Sequence, residues 1–115
     1  MINTLPFSPI KKAGNLFFVS GQVHLTKEGQ LLKGTIKEQT RQVMVNLQSV
    51  LERESLTFED VVKTTIFLTD MSDYADVNDV YKEYFSGDFP AREAVAVKDL
   101  PLGASIEISV IAYKG

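Results

Sequence analysis

Ser105-Ile106-Glu107-Ile108-Ser109-Val110-Ile111-Ala112-Tyr113 is the stretch that decides how this chain must fold. Side chains on a strand alternate between faces, so Ile106, Ile108, Val110 and Ala112 share one side while Ile111 and Tyr113 lie on the other. Apolar residues on both sides mean burial on both sides. One carboxylate, Glu107, stands inside this strand, where its charge is costly unless it is paired or used.

Working outward, Arg92 to Val97 forms the preceding strand, joined through Leu100-Pro101-Leu102-Gly103, a connection holding both a proline and a glycine. Antiparallel pairing of these two strands either brings the planar Arg92 guanidinium near Glu107, as half of a structural salt bridge, or leaves it as a fork facing an anion. Upstream, Val61 to Leu68 is rich in β-branched residues and places Val62, Thr64, Ile66 and Leu68 on one face of a central strand. Asp70 and Asp73 can cap the helix that follows, in which Tyr74, Val77, Tyr81 and Phe85 keep helical spacing until Gly87 and Pro90 stop it. A longer helix is predicted over residues 36–53. It opens on Thr35 and Glu38 at capping-box spacing, and Ile36, Thr40, Val43, Leu47, Val50 and Leu51 recur along one face. Asn15 to Val23 then reads as an N-terminal hairpin strand, turning at Lys27-Glu28-Gly29-Gln30 toward Leu31-Leu32-Lys33.

The order of hairpin, helix, strand, helix, strand, strand defines an α+β domain spanning residues 1–115, a mixed β-sheet with two helices on one face. Two helices cannot cover both faces of such a sheet. The far face is therefore expected to be covered by self-association, with sites at the contacts between copies. With 115 residues, 44% hydrophobic and 23% charged, the composition is that of one ordinary globular domain. The net charge of -3 weighs against nucleic-acid binding. The apolar runs are too short to span a bilayer, and the first residues lack a signal-peptide pattern, so a cytoplasmic location is expected.

There are no cysteines, hence no disulfides, thiolate metal sites or cysteine nucleophile. His24 is the sole histidine, which removes histidine-cluster metal sites and points it to a surface or interface role. Lys11-Lys12 reads as a solvated turn, Gly29 and Gly34 as turn residues, and nothing matches a phosphate-cradling loop. In Ser20-Gly21-Gln22, glycine inside a strand marks either a β-bulge or a place where a ligand or second backbone comes close.

Taken together these residues resemble the RidA/YjgF family of enamine/imine deaminases, also called the endoribonuclease L-PSP family. The resemblance runs over nearly the whole chain. It is carried by Val19-Ser20-Gly21-Gln22, by Asp60-Val61-Val62-Lys63-Thr64-Thr65 with Phe67, and by Asp70 with Val77-Asn78 and Tyr81. Its most specific part is Phe89-Pro90-Ala91-Arg92 with Val95, Leu100-Pro101 and Ile106-Glu107-Ile108. It implies a chorismate-mutase-like fold with a ferredoxin-like βαβ arrangement, a homotrimer, and clefts at the subunit interfaces.

By the same resemblance, the reaction is hydrolysis of 2-imino or 2-enamino acids, such as 2-aminoacrylate or 2-iminopropionate, to 2-keto acids and ammonia, with no cofactor and no metal. Arg92 is expected to hold the substrate carboxylate and Glu107 to hold or activate the attacking water. The backbone at Gly21 and Ala94 is expected to contact the imino group, with Ser20 and Asn78 lining or bracing the cleft. Two departures narrow the chemistry. Phe7 stands where many members carry tyrosine, so a phenolic hydroxyl is missing, and its ring either walls the cleft or is simply part of the core. Ala94 stands where many carry cysteine or serine, which favours water over a covalent mechanism. Two other functions compete with catalysis: a regulatory module that captures small carboxylates without turnover, and an endoribonuclease or translation inhibitor, disfavoured by the acidic charge.

Overall fold

The computed structural model describes residues 5–115. The strands are β1 (Ile10–Ala13), β2 (Leu16–Val23), β3 (Val61–Leu68), β4 (Ala91–Ala96) and β5 (Ile106–Tyr113), and the helices are α1 (Ile36–Glu52) and α2 (Tyr74–Tyr81). They build an α+β domain on one five-stranded mixed sheet in the order β1-β2-β5-β3-β4. Only β3 and β4 run parallel, with α2 as their crossover, and every other neighbouring pair is antiparallel. Among the described residues no helix is long and apolar enough to cross a membrane.

Helix α1 begins where its capping box places it. The Glu38 amide donates to Thr35 Oγ1 at 3.1 Å and the Thr35 amide to Glu38 Oε1 at 2.8 Å, satisfying two amides that the helix leaves unpaired. Its inner face carries Thr40, Val43, Met44, Leu47, Val50 and Leu51. The apolar ones join Phe17 and Val19 of β2, Ile66 and Leu68 of β3, Val77 and Tyr81 of α2, and Ile106, Ile108 and Val110 of β5 in one core. Both helices thus lie on one sheet face. On the other face Phe18, Val95 and Tyr113 stand 42%, 43% and 51% exposed, with no second layer over them among the described residues.

The structure corrects several sequence expectations. The first hairpin is β1 with β2, closed by a two-residue turn at Gly14-Asn15 with Gly14 at φ +62, so Lys11 and Lys12 lie in a strand rather than a turn. Charged residues on a short outer strand discourage further pairing at the sheet edge. Beyond β2, the turn at 27–30 exists, but it joins Leu25 and Leu31 through a single bridge instead of a strand pair. In β3 the register with β5 shifts between Val61 and Lys63, which turns Val61 inward and leaves Val62 46% exposed. Only Asp70 caps the second helical segment, accepting from the Ser72 amide and hydroxyl, whereas Asp73 makes no capping bond.

The largest correction concerns β4 and β5, which are not neighbours. A parallel β3-α2-β4 unit puts β4 on the outer edge of β3, while β5 occupies the other side of β3. His24 is corrected as well. It is 3% exposed, buried between the end of β2 and the start of β5 rather than on the surface.

Candidate active site

Arg92 pairs in register with Thr64 and shares the helix-covered face of the sheet with it. Glu107 pairs with Phe67 on β3 and with Val23 on β2, on the opposite face. Within one chain the two residues therefore belong to two separate cavities and form no ion pair.

The arginine cavity is built from β4 and α2. Tyr74, Asn78 and Tyr81 follow one another at four- and three-residue spacing, so all three present to the same side of α2. Arg92 Nη1 donates to Asn78 Oδ1 at 2.7 Å and Nη2 to the Tyr74 hydroxyl oxygen at 3.0 Å. The guanidinium carbon lies 5.5 Å from the centre of the Tyr74 ring and 5.1 Å from that of Tyr81, a cation–π platform. Tyr81 is fixed in turn, its hydroxyl donating to Thr64 Oγ1 at 2.9 Å. No carboxylate pairs with Arg92 among the described residues, and its remaining N–H groups are available to a cleft of about 250 Å³ shared with Phe89, Pro90 and Lys82. A planar cation so held is ready for a planar anion.

The glutamate cavity is larger, about 650 Å³, and mainly apolar: Leu5, Phe7, Val23, Leu25, Pro101 and Leu102 surround Ser20, Gly21, Gln22 and Glu107. At Ser20-Gly21-Gln22 the strand is irregular, and the group that comes close to Gly21 is a side chain rather than a second backbone. Between Val19 and Gln22 the register of β2 on β5 shifts as at a bulge, and into that irregularity the Glu107 side chain folds against Gly21. A Cβ at position 21 would collide with Glu107 Oε2, Cδ and Cγ. Burial raises the Glu107 pKa above its ordinary 4.5. A half-buried carboxylate without a cationic partner can take up and return a proton.

Of the remaining expected residues, Asn78 braces Arg92, while Ser20 and Phe7 line the glutamate cavity. The Ser20 hydroxyl is committed, donating to the Ser8 carbonyl oxygen at 2.6 Å. Ala94 packs against the core opposite Ile66 and lines neither cavity. Sequence reasoning overlooked Tyr74 and Tyr81 as the platform of the guanidinium. The signal was present in their helical phase with Asn78, but it coincides with ordinary core spacing.

The fold is thus a mixed-sheet α+β domain that presents a guanidinium in one cavity and a half-buried carboxylate in another, apolar one. The chain belongs to the endoribonuclease L-PSP family, whose profile matches residues 1–114. It is 48% identical over 110 residues to a RutC family protein of Pyrococcus horikoshii, covering 95% of this chain and 87% of that protein. It is 41% identical over 111 residues to the 2-iminobutanoate/2-iminopropanoate deaminase of Mus musculus, covering 96% of this chain and 82% of that enzyme. A Yersinia pestis structure of the conserved Rid protein family superposes with a TM-score of 0.92 at 41% identity, covering 95% of this chain and 88% of that one.

Proposed function

We propose that the protein hydrolyses 2-imino and 2-enamino acids to 2-keto acids and ammonia, at sites formed where the Arg92 cavity of one copy meets the Glu107 cavity of the next in a homotrimer. The observation that carries this reading is the pair of half-sites itself. One offers a guanidinium with free N–H groups and the other an unpaired, half-buried carboxylate, and a single chain keeps them on opposite sheet faces. Pairing unlike surfaces between copies is a head-to-tail contact, which closes into a ring when the rotation permits. The exposed Phe18, Val95 and Tyr113 supply apolar area for such a contact. The similarity to imine deaminases supports the same chemistry.

In this mechanism Arg92 receives the substrate carboxylate through parallel N–H donors and fixes the imine carbon relative to Glu107. Glu107 accepts a proton from water as the water oxygen bonds to that carbon, forming a tetrahedral carbinolamine. Glu107 returns that proton to the nitrogen and then relays the hydroxyl proton to it as well, so the C–N bond breaks with loss of ammonia while the C–O bond becomes the keto carbonyl. Water supplies the oxygen, and carbon undergoes no net change in oxidation state, so the hydrolysis itself calls for no redox partner. Phe7 walls the cavity without offering a hydroxyl and the Ser20 hydroxyl is committed to the Ser8 carbonyl, which leaves Glu107 as the group for water.

The test is to generate 2-iminopropionate with an amino-acid oxidase, add the purified protein, and follow loss of the imine. Faster loss than in buffer supports deamination. No acceleration, together with a rise in melting temperature on adding small carboxylates, would instead show capture without turnover, the reading that the absent hydroxyl at Phe7 favours.

A further inference from the structure

The mechanism above leaves unused the one buried imidazole of the protein. His24 Nδ1 lies 3.0 Å from the Leu32 carbonyl oxygen, and Nε2 accepts the Ser105 amide at 3.0 Å. A carbonyl only accepts and an amide only donates, so the ring is held neutral with its hydrogen on Nδ1. The chain on either side of it is pinned from the opposite direction. Asn46 Nδ2 of α1 donates to the Val23 and Leu25 carbonyl oxygens, each at 2.9 Å, and Asn46 Oδ1 accepts from Gln42 at 2.9 Å. The far end of this chain of bonds is the root of β5. Ser105 lies two residues before Glu107 and two after the Pro101–Gly103 turn, which walls the glutamate cavity and holds Leu102 in the left-handed region at φ 63.

We propose that His24 is a positioning residue of the glutamate half-site: through the Ser105 amide it fixes the root of β5 against the end of β2, and so keeps the Glu107 carboxylate folded over Gly21. The ring touches no substrate. Its hydrogen-bonding partners are neutral, and a proton added at Nε2 would face the Ser105 N–H, donor against donor. Burial holds the histidine pKa below its ordinary 6.5, which keeps the latch closed at neutral pH.

The inference deepens the deaminase reading and rests on it for its kinetic consequence, so the experiment reads the latch with and without catalysis. Full-length wild type is compared with His24→Leu, which removes both bonds, His24→Asn, which reaches Leu32 but not Ser105, and His24→Gln, which can still accept from the Ser105 amide. Three quantities are measured: exchange protection of the Ser105 amide, the carboxyl titration of Glu107 by NMR, and kcat and KM for the imine.

In His24→Leu and His24→Asn, Ser105 protection should fall and the Glu107 titration should move back toward 4.5. Turnover should drop at least about tenfold with KM nearly unchanged, since a small displacement of a reacting group is costly. His24→Gln should restore most of each. If His24→Leu does not fold, His24→Asn carries the same comparison. Wild-type titration and turnover in His24→Asn, with Ser105 protection lost, would overturn the proposal. If the wild-type protein hydrolyses no imine, the deaminase reading fails by itself. The Ser105 and Glu107 signals then still decide the latch: parallel changes support it, and an unmoved Glu107 overturns it.

Discussion

The Glu107 carboxylate rests on Gly21, at a place where even a methyl group would collide with it. The absence of a side chain at one position of β2 therefore sets where the only carboxylate of β5 can lie. Gly21→Ala should push Glu107 out of its cavity position. Measured kinetics on the folded variant should show a fall in kcat of at least about tenfold, with a smaller change in KM.

The separate roles proposed for the two half-sites predict separate kinetic signatures. Arg92→Ala removes the carboxylate clamp, so KM for imino acids should rise steeply and orientation should suffer. Glu107→Gln keeps the shape and removes the base, so kcat should fall by about 10²-fold or more with KM little altered. Steady-state assays of both variants with one imine provide the check. Equal losses in both parameters for both variants would count against this division.

Tyr74 donates no charge, yet its hydroxyl accepts one N–H of Arg92 at 3.0 Å. Tyr74→Phe keeps the ring under the guanidinium and deletes that bond, worth about 1 kcal/mol net. A rise in KM of about fivefold is expected, with kcat close to wild type.

Two titrations act in different pH windows. Burial raises Glu107 above 4.5 in the folded protein, so the folded state holds this proton more tightly than the unfolded chain. The stability it contributes is full below 4.5 and is lost as pH rises through the folded value. Glu107→Gln should accordingly melt higher than wild type at neutral pH. His24 is shifted the other way, below 6.5. Its contribution is full above 6.5 and is lost as pH falls through the folded value, so His24→Gln should flatten the decline in melting temperature across that window. Because Glu107 must be ionised to take a proton from water, kcat/KM should rise with pH through a value above 4.5.

The elements that the sequence made legible are those whose signals are local. Thr35 and Glu38 close a capping box three residues apart, and the α1 core positions repeat every three to four residues, so the helix from Ile36 to Glu52 could be read directly. Strand β5 was legible because both of its faces are apolar. The hairpin partner of β2 was not, because Ile10-Lys11-Lys12-Ala13 is a short edge strand whose lysines mimic a turn. The bulge at Val62 reverses the inward face for part of β3 and leaves no mark in an alternating pattern. Strand order is a long-range property. Nothing near Arg92 announces that β3 stands between β4 and β5, so the pair appeared as neighbours in sequence terms and lies apart in space. The candidate site residues were named through resemblance, whereas the aromatic platform under Arg92 and the buried bonds of His24 came from the structure.

The central claim is that Arg92 and Glu107 act on one substrate from different copies of the chain, and a mixing experiment tests it most directly. Arg92→Ala and Glu107→Gln are each assayed alone, then unfolded together in equal amounts, refolded and assayed for 2-iminopropionate hydrolysis. In a ring of three, a mixed assembly brings an intact Arg92 from one variant against an intact Glu107 from the other, so activity should recover to about a quarter of the wild-type value. A mixture no more active than the better of the two variants, alongside an active refolded wild type, would contradict the account.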